Sequence, residues 1–276
     1  MGAGTERSAT LLQMFAPRSA TLRIVSLAPS ATSILCAIGA KKTLVGVTKW
    51  CAAVAPVNGL PKLGDCWHMD SVDEILNLKP SLVIGSVPFK TEVVAKLLEA
   101  PLNFLAKNPR TLADIANDIR LLGAIANRRA PAERLVRRMR REFSALAKKG
   151  TPKRARKLRV YCEAWPNPRI SSPPWVAELV ALCGARMVVP AGQKITAEQV
   201  AEGQPDVIVL AWAATGDNAK TETAYEVAAW KDSPAIRNKQ VHVVRDELLN
   251  TPGPPLLAGA KELWRIFHAA AKAGHL

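Results

Sequence analysis

Apolar and polar positions alternate in blocks along this chain, and the blocks change period in a regular order. Arg23-Ile-Val-Ser-Leu-Ala-Pro29 is a short apolar run that predicts a first strand, and Ser30-Ala-Thr-Ser-Ile-Leu opens a helix that Gly39 stops. Thr43–Thr48 predicts a second strand, followed by a loop from Lys49 to Met69 that contains Pro56, Pro61 and Gly64. Leu82–Gly85 and Asn103–Leu105 predict two more strands, with helices near Glu92–Glu99 and Leu112–Ile125. The same alternation restarts at Leu158–Cys162. A helix over Pro174–Cys183 and strands at Met187–Val189, Val207–Ala211 and Val241–Val244 follow. Short helical pieces at Glu226–Trp230 and Pro234–Ile236 and a last helix over Pro255–Ala273 complete the chain. Strands separated by helices imply parallel sheets covered on both faces.

One phrase occurs twice. Ser71-Val-Asp-Glu-Ile-Leu-Asn-Leu-Lys-Pro80-Ser-Leu-Val-Ile-Gly is answered by Thr196-Ala-Glu-Gln-Val-Ala-Glu-Gly-Gln-Pro205-Asp-Val-Ile-Val-Leu. Each copy reads as a hydroxyl N-cap, a short amphipathic helix, a terminating proline and a buried strand. Ser71-x-x-Glu74 and Thr196-x-x-Gln199 both have the capping-box pattern, and Asp73 and Glu198 occupy matching first-turn positions. A chain that repeats itself in this way predicts two similar lobes with a ligand cleft between them.

Between the halves, Leu135, Val136, Met139, Phe143 and Leu146 recur at helical spacing within a strongly basic stretch. From Arg128 to Arg159 there are 14 Lys/Arg against Glu133 and Glu142, which accounts for +12 of the chain's net +15. The charge therefore belongs to one long amphipathic connecting helix with a solvated basic outer face, and nucleic acid is not an expected partner. The expected class is α/β: two Rossmann-like lobes with mainly parallel sheets joined by a single long α-helix. The expected divisions are a disordered lead-in over 1–22, an N-terminal lobe over 23–127, the connecting helix and link over 128–157, and a C-terminal lobe over 158–276.

The 49% apolar and 22% charged content indicates a folded globular chain rather than a disordered one. Residues 1–23 lack the apolar core of a secretory signal, so an extracytoplasmic location with the signal removed and a cytoplasmic location both stay open. Cys36, Cys51, Cys66, Cys162 and Cys183 form no C-x-x-C pair and so carry no zinc or redox signature, although Cys51 and Cys66 share a loop. Phosphate loops, nucleophile elbows and H-E-x-x-H are absent, so neither a catalytic residue nor a protein metal site is expected.

Tryptophan is the unusual residue, at seven of the 14 aromatics (five Phe, two Tyr and seven Trp). Trp50, Trp67, Trp165 and Trp212 fall in loops or just past predicted strands, at the edge that lines the crevice of open α/β sheets. Trp230 and Trp264 sit on helical faces and read as core. His68 lies beside the expected cleft, where it could ligate a metal carried by a bound molecule. Asp246 and Glu247 follow the last strand, at the start of a predicted loop that runs to Pro254.

The two repeat units, the turn Leu27-Ala-Pro-Ser-Ala-Thr32, Val45-Gly-Val-Thr48 and the single inter-lobe helix together resemble the substrate-binding proteins of cobalamin and iron-siderophore ABC importers. The likeness runs over roughly residues 23–270 and is closest to the cobalamin-binding branch. It implies a monomeric, non-catalytic, extracytoplasmic binder that needs no cofactor and delivers its ligand to a membrane permease. It further implies that Trp50, Trp67 and Asp246 face the ligand, with Trp165 as a further candidate, and that Asp73 and Glu198 dock on the permease; Trp212, Ser30 and His68 complete the set of candidate ligand-binding residues. Ferric siderophore or haem is the alternative ligand, and a cytosolic corrinoid-handling or sensing protein the alternative role.

Overall fold

The computed structural model describes residues 21–149, 156–215 and 218–273, so the expected lead-in lies almost wholly outside the described residues. In the first half, β1 (Ile24–Ser26), β2 (Leu44–Thr48), β3 (Lys62–Leu63), β4 (Leu82–Ser86) and β5 (Phe104–Lys107) form one sheet in the order β3-β2-β1-β4-β5. Every pairing in it is parallel. The connections are α1 (Pro29–Ala37), α2 (Asp73–Asn77), α3 (Thr91–Glu99) and α4 (Leu112–Ile125).

In the second half, β6 (Leu158–Pro166), β7 (Arg169–Ser171), β8 (Ala185–Met187), β9 (Val207–Leu210) and β10 (Val241–Val243) form another sheet. Its parallel strands run β8-β6-β9-β10, the same second–first–third–fourth order as β2-β1-β4-β5. The repeated phrase therefore supplies equivalent strands: β4 lies beside β1, and β9 beside β6. The halves differ at one place. β6 runs four residues further than the periodicity predicts and turns back as the antiparallel β7, whose pairing shifts register between Glu163 and Trp165. The Pro166-Asn-Pro168 run hides this hairpin in the sequence, because prolines read as strand breakers.

The connecting helix α5 (Arg129–Lys149) is more than a strut. Its apolar face is buried with Ile119 and Leu122 of α4, Val176 and Leu179 of α6 (Pro174–Leu182), and Leu263 and Phe267 of α11 (Leu256–Lys272), in one continuous cluster that reaches both sheets. The opposite sheet faces have separate cores, around Val83 and Leu97 in one half and around Ile208 and Trp230 in the other. Two further contacts tie the halves. Glu178 of α6 accepts a hydrogen bond from the Leu112 amide at the start of α4 (2.9 Å), and Gly253 lies so close to α1 that a Cβ there would sit 3.1 Å from Ser33 Oγ. No helix among the described residues is long and apolar enough to cross a membrane.

Candidate functional site: two aromatic edges

In parallel α/β sheets the carboxyl ends of the strands carry the ligand crevice. The candidate residues gather there in two clusters, one per sheet.

In the first half, Trp50 follows β2 in a 3-10 turn (Lys49–Ala53) and is 37% exposed, with Lys49 Nζ 4.6 Å from its ring centre. Its Nε1 donates to Asp65 Oδ2 at 3.0 Å. The other oxygen of Asp65 accepts from the backbone amides of Trp67 and His68, both at 2.8 Å, as an Asx turn. Gly64 makes this turn possible, since a Cβ there would lie 2.6 Å from the His68 carbonyl. One carboxylate thus organises Trp50, Trp67 and His68. Trp67 is 47% exposed, and His68 is exposed beside it.

In the second half the anchor is buried. Glu163, fully enclosed near the end of β6, accepts from Tyr161 Oη (2.6 Å) and Trp212 Nε1 (2.9 Å) and pairs with Arg169 of β7. The Arg169 guanidinium lies over the Trp230 ring, 4.4 Å from its centre, and Tyr161 meets Trp230 edge-on. Burial, with the carboxylate next to it, pushes the Tyr161 hydroxyl pKa well up, so Tyr161 stays a donor. A cavity of about 70 Å³ opens between Glu163, Arg169, Trp212, Thr223, Val227 and Trp230. That is room for water and far below the ~300–1,000 Å³ of a small-molecule pocket.

Trp165 lies inside β6 rather than beyond it. Its Nε1 donates to the Asn167 carbonyl (2.8 Å), and the residue is 38% exposed. Trp212, half-buried, follows β9, and the Ala213 amide donates to the Ala164 carbonyl, so the two indoles stand on adjacent strand ends.

The stretch after the last strand is a short helix, α10 (Asp246–Asn250), where the sequence suggests a loop. It forms because Asn250 Nδ2 bonds the Ala211 carbonyl (2.7 Å) and Trp175 Nε1 bonds the Leu249 carbonyl (2.8 Å), tying the segment to β9 and α6. Asp246 Oδ2 accepts from the Ala214 amide at 3.4 Å, and Ala214 is held at φ +62, a strained conformation for a residue with a Cβ. Burial first, and the neighbouring Glu247 second, raise the Asp246 carboxyl to about 6. Glu247 itself pairs with Arg245 (2.5 Å).

Ser30, near the start of α1, is buried, and its hydroxyl has no hydrogen-bond partner among the described residues. Ser86 at the end of β4 and Ser172 just after β7 are buried in the same condition. Sequence reasoning missed Asp65, Glu163 and these two serines. A carboxylate that interrupts the apolar run of β6 was the one legible sign of Glu163.

Asp73 and Glu198 are exposed on the first turns of α2 and of α7 (Ala197–Glu202). The Thr196/Gln199 capping box forms. The Ser71/Glu74 one does not, because Ser71 Oγ turns to Asp73, donating to its Oδ2 (2.7 Å) and accepting from its amide (3.0 Å). Backbone and Thr196 hydrogen bonds hold the Glu198 carboxyl below the usual range. All five cysteines are free thiols. Cys51 bonds Thr32 and Thr48 in the shared core, whereas Cys66 packs in the core on the other face of the sheet, its thiol pushed up to about 12 mainly by burial.

Residues 24–248 match the family described as Periplasmic binding protein. The vitamin B12-binding protein of Vibrio parahaemolyticus is 28% identical over 260 residues, which cover 91% of this chain and 90% of that protein. The uncharacterized ABC transporter substrate-binding lipoprotein YvrC of Bacillus subtilis is 26% identical over 253 residues, 87% of this chain and 78% of that one. Among solved structures, the apo periplasmic heme-binding protein RhuT of Roseiflexus superposes with a TM-score of 0.74 at 23% identity, covering 91% of this chain and all of that one.

Proposed function

Since the chain belongs to the periplasmic binding protein family, we propose that it is a non-catalytic carrier that takes cobalamin or a related corrinoid between its two aromatic edges and hands it to an ABC importer. The observation that carries this reading is the solvent exposure of Trp50, Trp67 and Trp165, each with more than a third of its surface open at a sheet's carboxyl edge. Large flat apolar rings left in water at the carboxyl edges of both sheets suit a broad, flat, partly apolar guest. The small cavity beneath Trp212 is too tight for such a guest, so the guest would lie above it, between the lobes. Asp246, half-buried at the second edge, would meet its polar rim.

Asp73 and Glu198, one per lobe at equivalent positions, would be the docking points for a permease that presents matched cations. Delivery to such a permease puts the protein outside the cytoplasm. Haem is the second reading. It is favoured by the exposed imidazole of His68 beside Trp67, a ready axial ligand for an iron porphyrin.

Tryptophan-fluorescence titration with cyanocobalamin, haemin and a ferric siderophore in parallel tests the proposal. We expect saturable quenching by cyanocobalamin. Trp67→Ala should weaken it by roughly tenfold, about 1.4 kcal/mol, without lowering the melting temperature. Quenching by haemin alone, abolished in His68→Ala, would establish the second reading instead. A response to none of the three would remove both.

A further inference from the structure

The outer face of α5 plays no part in the proposed binding, and it lies in the stretch that carries most of the chain's net charge. Arg134, Arg137, Arg141 and Lys148 are all exposed and fall within an arc of about 60°, opposite the buried Leu135, Val136, Met139, Phe143 and Leu146, along a line of about 21 Å. Ser144 and Ala145 are the small residues between them. The two acids of the helix sit on its flanks and are already engaged: Glu133 with Arg120 (2.9 Å), and Glu142 with Arg138 (2.9 Å) and Lys261 (2.6 Å). Among the described residues neither hydrogen-bonds to the stripe, of which only Arg137, one turn on, also feels the Glu133 charge. The helix is pinned along its length to α4, α6 and α11, so it cannot fold back to neutralise this row within the molecule.

From this geometry we infer that the outer face of α5 is a docking surface for an anionic phospholipid bilayer, with lipid phosphates contacting the Arg134–Arg137–Arg141–Lys148 row. A straight helix fixed on its side meets a plane along its whole length. Duplex readers instead insert a helix into a groove, and single-strand binders interleave cations with aromatic rings. The exposed indoles here stand at the sheet edges, and α5 exposes no large apolar side chain. The contact is therefore electrostatic, stays at headgroup level, and is released by salt. It would hold the carrier near a membrane, confining its search for a permease to a surface.

Sedimentation of the full chain with vesicles of phosphatidylcholine containing about 30% phosphatidylglycerol tests this, since each cation near such a surface strengthens binding by about fivefold. Wild type should bind these vesicles at low salt, ignore pure phosphatidylcholine, and dissociate at about 0.5 M salt. The combined variant Arg134→Gln, Arg137→Gln, Arg141→Gln and Lys148→Gln should lose at least about tenfold, with its melting temperature and ligand titration unchanged. An equal charge loss elsewhere on the surface (Lys42, Arg186, Lys231 and Arg237 to Gln) should cost no more than about twofold. The inference fails if wild type ignores the anionic vesicles, whether or not it binds a DNA duplex, if both variants bind alike, or if neutral vesicles bind wild type equally well. Because the ligand titration is read on the same variant, this result and the test of ligand binding are independent.

Discussion

The two aromatic edges occupy equivalent ends of topologically matched sheets, yet they are held in opposite ways. On the first, Trp50, Trp67 and His68 hang on one half-buried carboxylate, Asp65, at the tip of a loop. On the second, Trp212 is fastened to Glu163, which is fully buried and also holds Tyr161 and Arg169. The Asp65 turn satisfies backbone amides and leaves the rings to solvent, so it can adjust. The Glu163 network fills the lobe, and any loss there leaves charge and donors stranded. In the proposed binding mode the first edge is the one that adjusts to a guest, while the second keeps its shape.

The strongest way to break this contrast is Glu163→Ala. It leaves the Arg169 guanidinium without its carboxylate and two donors without an acceptor, and should cost about 3–5 kcal/mol in urea denaturation. Asp65→Ala should cost less, about 1–2 kcal/mol, and should red-shift and sharpen the quenchability of the indole emission as Trp50 and Trp67 loosen. If Asp65→Ala proved the more destabilising of the two, the assignment of rigid and adaptable edges would be reversed.

Asp246→Asn sharpens the picture of the second edge with the smallest effect. Burial and Glu247 raise the Asp246 carboxyl from 3.8 to about 6. Its contribution to stability is therefore complete below about pH 4 and lost as pH rises through 6. The amide keeps an acceptor for the Ala214 N–H and removes the charge. The variant should thus match wild type at pH 4 and melt higher at pH 8, by about 1 kcal/mol after solvent screening. A melting difference that stayed constant from pH 4 to pH 8 would show that the Asp246 carboxylate carries no burial penalty.

Much of the frame was legible in one dimension. The switch of hydrophobic period marks the parallel strands and their helices, because a strand buried on both faces must be continuously apolar and its covering helix must be one-sided. The duplicated phrase identifies β4 and β9 as counterparts. The register of Leu135, Val136, Met139, Phe143 and Leu146 separates the buried face of α5 from its basic one. The sequence also singles out the four tryptophans by their place at strand ends.

The anchors were not legible. Asp65 and Glu163 act through partners that are distant in sequence or that local pattern assigns to turns. Arg169 belongs to a hairpin concealed by its prolines, and α10 is helical only because Asn250 and Leu249 find partners on β9 and α6. Local periodicity determines which face of an element avoids water, since that depends on the spacing of neighbouring side chains. Which carboxylate holds which ring depends on where separate elements converge, and only the packing of the sheets, with the free-energy cost of leaving any buried polar group unpaired, decides it.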